Sequence, residues 1–255
     1  MADAVPRLRF LGHSTVLLEL DEVRILTDPV LVDRLGPLHR HAGDAAGPLK
    51  GVAIDLVLIS HGHHDHLHLP SLRRLEGRPR IVVPTGLGHL LAAVCDDVVE
   101  IAPGQRLVVG RLVVEAIRAR HHGGRGPLGP TSEALGYRVA GRSRVYFAGD
   151  TDLFPGMADI APVDVALVPV AGWGRTLGPG HLDPVRAAEA VHLLRADVAV
   201  PIHWGPLHPF WNRTARASAT DTAPRAFAAE VRRRGLPTTV AILRPGESLS
   251  SDDVA

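Results

Sequence analysis

Ser60-His61-Gly62-His63-His64-Asp65-His66-Leu67 directly follows the apolar run Leu56-Val57-Leu58-Ile59. The run reads as a buried β-strand. The residues after it follow a H-x-H-x-D-H spacing, with His61, His63, Asp65 and His66 as the chemistry-bearing positions. Imidazole and carboxylate ligate zinc and similar divalent metals. In extended backbone side chains alternate, so His61, His63 and Asp65 are expected to point the same way. A turn at Asp65-His66 then brings His66 round as a fourth group. A catalytic zinc takes three protein ligands and a water, so this loop offers more than one ion needs from it. The economical reading is two metals that share the loop. A chain with 15 histidines in 255 residues makes adjacent pairs by chance, but chance does not readily set them at a strand end with an acid in register.

Other candidate ligands also stand where strands are expected to end. His121 follows a strand ending near Arg118, Asp150 follows Val145-Tyr146-Phe147-Ala148-Gly149, and His203 follows Val198-Ala199-Val200-Pro201-Ile202. Recurrent placement at strand ends suits a rim site on a sheet scaffold, because strands hold ligands more rigidly than loops do. His121 and His122 are neighbours, and spacing alone does not choose between them.

Bulk properties bound the rest. A chain of 255 residues fits one large α/β domain or two small ones and can bury a sizeable core. The formal net charge is +1, so no global field favours nucleic acid or an anionic membrane. Lys50 is the only lysine, and arginine carries the remaining positive charge. Cys95 is the only cysteine, which excludes an intrachain disulfide and fits a reducing compartment; it is expected to be buried in a helix. The first residues lack a signal-peptide pattern and no apolar run reaches the length of a membrane span. A soluble cytoplasmic protein is therefore expected, with oligomeric state left open.

Strands are expected at 7–11, 15–20 and 23–27, with Asp21-Glu22 as a hairpin turn, and residues 36–51 as a loop. The strand from Asp55 to Ile59 delivers the metal motif. Further strands are expected at 81–83, 98–101, 106–109, 112–118, 136–140, 144–148, 164–170, 198–202 and 238–243. Helices are expected at 70–75, 87–95, 184–194 and 224–234. In the third, Asp183 is the N-cap before Pro184, and Val185, Ala188, Val191 and Leu194 share an apolar face. Strand meanders bracketed by helices suggest two packed sheets with helices outside.

The order of H-x-H-x-D-H, a later histidine, Gly149-Asp150-Thr151 and Pro201-Ile202-His203-Trp204 resembles the metallo-β-lactamase-fold hydrolase superfamily. Gly12-His13-Ser14-Thr15-Val16-Leu17, Leu26-Thr27-Asp28-Pro29 and His181-Leu182-Asp183-Pro184 narrow the likeness. They resemble the branch of L-ascorbate-6-phosphate lactonases and phospholipases D that hydrolyse N-acyl phosphatidylethanolamines. The likeness runs from about Leu8 to about Leu243. It implies an α/β fold, a four-layer αββα sandwich of the metallo-β-lactamase type, here as a single domain over 1–255. It also implies that His61, His63 and His121 bind one metal, Asp65, His66 and His203 a second, and that Asp150 bridges them. His121 is preferred to His122 because Ala119-Arg120-His121 resembles the family's Ala-x-His. Two divalent ions are implied, zinc first, with manganese or iron also compatible. Asp28 occupies the supporting-acid position, expected to hold a ligand's other ring nitrogen. His13 and His181 match positions beside the metals, where each could orient substrate or donate a proton; with Asp150 they are the candidate catalytic residues. His64 is expected on the wall or in solvent.

Several alternatives recede. No cysteine stands among the ligand positions, unlike the zinc β-lactamases that use one, and His63 stands where the flavodiiron branch would have Glu or Asn. Gly12-His13-Ser14 is not a G-x-S-x-G nucleophile elbow. The expected activity is dinuclear metal-dependent hydrolysis, with a metal-bridging hydroxide cleaving an ester, lactone or phosphodiester in a small organic substrate. A nuclease using the same metals is the alternative; the one tight basic cluster is Arg232-Arg233-Arg234, at a helix end. Trp173, Trp204, Trp211, Phe154 and Phe210, with Arg125, Arg175 and Arg213, are expected near the rim, a mixture suited to an anionic substrate.

Overall fold

The computed structural model describes residues 5–126, 129–172, 177–209 and 221–250. The first strands are β1 (Arg7–Gly12), β2 (Thr15–Leu20), β3 (Val23–Thr27), β4 (Arg34–Leu35), β5 (Leu38–Arg40) and β6 (Leu56–Leu58). Next come β7 (Arg80–Pro84), β8 (Val98–Ile101), β9 (Arg106–Val109), β10 (Leu112–His122), β11 (Glu133–Ala140) and β12 (Arg144–Phe147). The last are β13 (Val165–Pro169), β14 (Val198–Ile202), β15 (Leu207–Pro209), β16 (Thr239–Val240) and β17 (Ser248–Leu249). The helices are α1 (Leu69–Leu72), α2 (Pro184–Leu194) and α3 (Thr222–Arg233).

Two seven-stranded sheets form, in the orders β17-β1-β2-β3-β6-β7-β8 and β16-β14-β13-β12-β11-β10-β9. Each begins as an antiparallel meander and continues as parallel strands: β1-β2-β3 then β6, β7, β8 in one, β9 to β12 then β13, β14, β16 in the other. In such sheets ligand sites lie beyond the carboxyl ends of the parallel strands. Asp28, Ser60, Asp150 and His203 follow the ends of β3, β6, β12 and β14.

Period-two alternation divides the first sheet between two cores. Leu56 and Leu58 of β6, with Phe10, Val16, Ile25 and Val82, join the core shared with the second sheet. Val57 and Ile59, with Leu26, Ile81 and Val83, face the other way, onto Leu72, Leu87 and Leu91. Truncating a core leucine such as Leu58 to alanine is expected to cost about 2–5 kcal/mol. On the second sheet, α2 buries Ala187, Ala188, Ala190, Val191 and Leu194, and α3 buries Phe227 and Val231. Asp183 caps α2 by accepting from the Arg186 amide at 2.8 Å.

The differences from expectation are local. Val185 is 51% exposed, because the buried face of α2 is set by Ala187 and Ala190 rather than by the first turn. The helix expected at 87–95 is a single 3₁₀ turn, Gly88–Leu91, whose first amide is held by the Glu100 carboxylate at 2.7 Å. Cys95 therefore lies outside a helix, half-buried, with its Sγ 3.2 Å from the Pro79 carbonyl. The 70–75 helix is the one-turn α1. Within 36–51, β5 pairs with the nearby β4 on one side and with β15 on the other in a three-stranded sheet, and β15 is far away in sequence and invisible to local pattern. The hairpin turn at Asp21 and Glu22 is as expected, both residues having positive φ, 48° and 67°. No helix among the described residues is long and apolar enough to cross a membrane.

Candidate metal centre

The chain leaves β6 at Leu58 and is fastened to both sheets within two residues. Ile59 N–H donates to Val82 O (2.9 Å), Tyr137 Oη donates to Ile59 O (2.7 Å), and Leu135 N–H donates to Ser60 O (2.9 Å). Residues 61–67 then fold as a turn, not as extended strand: His66 N–H and Leu67 N–H both donate to His63 O, at 3.1 and 2.8 Å. Alternation therefore does not aim these side chains; the turn does. Arg125 clamps it, donating to Gly62 O (3.1 Å) and Leu67 O (2.9 Å). Two glycines permit the close packing. A Cβ at Gly62 would stand 2.9 Å from Gly123 O, and one at Gly149, whose φ is +59°, would stand 2.5 Å from the Ser60 Cβ.

All nine residues expected at the site converge. Donor atoms of His61, His63 and His121 lie within 4.8 Å of one another, as do those of His13, Asp65, His66 and His203. Two further groups, His61-His66-Asp150 and His121-Asp150-His181, join the sets through Asp150. His63 Nδ1 stands 2.9 Å from His61 Nε2 and 3.3 Å from His121 Nε2. The Asp150 Oδ2 atom is 3.1 Å from His203 Nε2, 3.4 Å from His66 Nε2, 3.5 Å from His181 Nε2 and 4.0 Å from His121 Nε2. His122 is exposed, because the register of β10 shifts between Arg118 and His122, and His121 turns inward. His64 is also exposed, its Nδ1 3.2 Å from the Arg125 guanidinium.

Outer hydrogen bonds fix the rings. Asp28, fully buried, accepts from Ser60 N–H (2.7 Å), Ser60 Oγ–H (2.6 Å) and His66 Nδ1–H (2.6 Å). Ser60 Oγ in turn accepts from His61 Nδ1–H at 2.9 Å. His121 Nδ1–H donates to Gly180 O and His203 Nδ1–H to Ala171 O, each at 2.9 Å. With Nδ1 engaged as donor, the Nε2 lone pairs of His61, His66, His121 and His203 face the centre. Asp28 thus holds the Nδ1 of His66, the contact expected of a supporting acid. Ser60, Gly180 and Ala171 were not singled out by sequence. Only the hydroxyl of Ser60, directly before the first histidine, carried a signal; backbone acceptors carry none.

The protonation pattern suits a cation. Burial pushes His61 well below its ordinary value, with His66 adding to the effect, and pushes His121 down to about 4. Asp65 and Asp150 are held well below the carboxylate range by surrounding imidazoles, against the opposing effect of burial. His66 is raised well above its ordinary value: burial opposes this, but Asp150, Asp65 and Asp28 outweigh it. Metal ligands must be neutral imidazole and ionised carboxylate, the state towards which His61, His121, Asp65 and Asp150 are pushed. Buried Nε2 of His66 and Oδ1 of Asp150 make no hydrogen bond within the protein. Unmet buried polar atoms are costly, and a cation between them fits this donor set of nitrogen and oxygen.

The rim differs from expectation. Trp204 is 7% exposed, stacks on Phe10 at 5.5 Å and donates its Nε1–H to Pro201 O, so it packs the core. Phe154 packs against the same core, and the Arg125 guanidinium is engaged with the loop carbonyls. Trp173, Arg175, Phe210, Trp211 and Arg213 lie outside the described residues.

Two facing mixed sheets with a histidine–aspartate centre at their common edge define a metallo-β-lactamase-type sandwich. The chain belongs to the Beta-lactamase superfamily domain family, whose profile matches residues 23–204. A UPF0173 metal-dependent hydrolase of Opitutus terrae is 34% identical over 253 residues, 95% of this chain and 99% of that one. An uncharacterised protein of Mycobacterium tuberculosis is 34% identical over 236 residues, 82% of this chain; this chain spans only 62% of the length of that relative. Among solved structures, Igni18, a metallo hydrolase of Ignicoccus hospitalis, superposes with a TM-score of 0.74 at 25% identity, over 96% of this chain and 97% of that one.

Proposed function

We propose that the protein is a metal-dependent hydrolase with two divalent cations, zinc by first choice, acting on an ester, lactone or phosphodiester in a small organic substrate. The observation that carries this reading is Asp150 Oδ2, which faces imidazoles of both histidine sets at 3.1 to 4.0 Å. His61, His63 and His121 would hold one cation, Asp65, His66 and His203 the other, and Asp150 both. Cations in such a site supply Lewis acidity and lower the pKa of a water towards neutrality, which yields a nucleophile at physiological pH.

The chain's own groups divide the remaining work. Asp150 sets the spacing of the two sets and accepts hydrogen bonds from groups in the centre. His181 is the proton donor to the leaving group. Its hydrogen bond to Asp150 raises its pKa, whereas burial lowers those of His61 and His121, and its side chain is 23% exposed and open to substrate. His13, 2% exposed behind Asp65, is not placed to reach a leaving group. The nuclease alternative loses its basic cluster, since Arg233 and Arg234 are paired with Glu230 and Glu189. A cytoplasmic setting belongs to the same proposal and rests on the single free cysteine.

The test joins metal analysis to a substrate panel. Protein purified without chelator and reloaded should approach two metals per chain. It should then hydrolyse at least one of bis-p-nitrophenyl phosphate, a homoserine lactone, a phosphorylated lactone or an N-acyl phospholipid, with activity lost on chelation. Saturation at one metal refutes the two-cation reading, and activity indifferent to chelator refutes the metal-dependent one.

A further inference from the structure

We propose that His13 is a fifth protein ligand of the second cation, beside Asp65, His66, His203 and the shared Asp150. The inference rests on the two-cation reading above and goes beyond the seven ligands it names. Donor atoms bound at 2.0–2.1 Å to one five-coordinate ion stand about 2.9 to 3.6 Å apart where they are neighbours. The Asp65 Oδ2 atom lies 3.0 Å from His13 Nε2, 3.5 Å from His66 Nε2 and 3.9 Å from His203 Nε2. Those edges are comparable with the 2.9 and 3.3 Å edges among His61, His63 and His121. One carboxylate oxygen thus faces three imidazole nitrogens. A single cation can be shared by all four atoms.

The backbone supports the same assignment. His13 and His203 both have φ of 58°, in the left-handed region that costs a non-glycine residue about 1–2 kcal/mol. They lock each other there: His13 N–H donates to Trp204 O at 3.0 Å, and His203 N–H donates to His13 O at 2.9 Å. This pairing holds the two rings 4.3 Å apart, centroid to centroid, one from the end of β1 and one from the end of β14. Glycine or asparagine would adopt such a backbone at less cost. Strain that survives at paired positions marks side chains that the site requires. His13 is buried behind Asp65, where a ligand can sit and a substrate cannot reach.

The test loads the full-length protein with two equivalents of cadmium-113 and reads scalar coupling from the metal to ring protons of ¹⁵N-labelled histidines. Coupling passes only through a metal–nitrogen bond. The expected result is coupling at His13 as well as at His61, His63, His66, His121 and His203, with no proton on His13 Nε2. A second arm uses His13→Gln, which keeps a donor for Asp65 but is a poor ligand; affinity for one of the two cations should fall about 100-fold. If two cations bind and His13 keeps its Nε2 proton uncoupled, His13 only positions Asp65 and the proposal is overturned while the two-cation reading stands. If the wild-type protein takes up one cation, both fall together. The coupling measurement uses unaltered protein, so a poorly folding variant does not remove the test.

Discussion

Asp28→Asn tests the logic of the centre without touching a proposed ligand. Asp28 Oδ2 takes two bonds of 2.6 Å, from His66 Nδ1–H and Ser60 Oγ–H, and Oδ1 takes one of 2.7 Å from the Ser60 amide. An amide in that place cannot satisfy all three donors. With its NH₂ towards His66, Nδ1 must accept and the ring proton moves to Nε2, the atom facing Asp65 and Asp150 at 3.5 and 3.4 Å. With its NH₂ towards the Ser60 amide, two donors face each other, at about 1–3 kcal/mol for a buried unmet group. Loss of such an outer carboxylate costs roughly 10- to 100-fold in metal affinity, or about 1.4–2.7 kcal/mol. The effect should reach both cations, because Ser60 Oγ relays Asp28 to His61. Ser60→Ala should separate them, weakening the His61 set about ten-fold while His66 keeps its acceptor. The assay is a two-step competition titration against a chromophoric chelator. The steps are assigned with His61→Ala and His203→Ala, and urea unfolding of chelated protein separates folding from binding. If Asp28→Asn leaves both affinities within about two-fold, or Ser60→Ala weakens the His66 set instead, the relay reasoning is wrong.

Three other outcomes are expected. His121→Ala should lower metal affinity by about 100-fold or more, and His122→Ala should leave it nearly intact, as isothermal titration with zinc will show; the reverse pattern transfers the role to His122. Asp150→Asn preserves shape but removes the charge that faces both histidine sets, so turnover on a confirmed substrate should drop by at least about 100-fold with circular dichroism unchanged, and near-normal turnover rejects the bridge. Chelator-stripped protein should be acid-labile. Burial holds His13 and His121 at about 4 in the fold against 6.5 unfolded, so below pH 6.5 the unfolded chain takes protons that the fold refuses. Stability present above that pH is lost on the way down to about pH 4, roughly 3 kcal/mol for each ring. His66, with a raised pKa, changes its contribution above pH 6.5 and does not offset this limb. Urea midpoints between pH 7 and 4.5 that stay flat would contradict it.

How much was legible follows from what each residue does. His61, His63, Asp65, His66, Asp150 and His203 were readable as candidates because the side-chain chemistry of a ligand is local, and the fold class followed from strand meanders bracketed by helices and from the family resemblance. Asp28 was readable through the resemblance, which places a supporting acid at this strand end, and His66 supplies it with a donor. The means of aiming these side chains was not readable. Extended alternation was the wrong geometry for residues 61–67, since their direction comes from a turn clamped by Arg125, whose partners are backbone carbonyls 58 and 63 residues away in sequence. A guanidinium read as a substrate group on composition thereby becomes part of the loop's frame. The same limit applies to His121 and His122: a register shift in β10 turns His121 inward and leaves His122 exposed, and pairing register depends on a partner strand. His13 is the sharpest case. Its neighbour Gly12 suggests a turn, but the left-handed backbone of His13 itself is sustained by His203 and Trp204, which come from the other sheet. Side-chain chemistry is local and therefore visible in a sequence; orientation comes from long-range packing and becomes visible only when both sheets are in place.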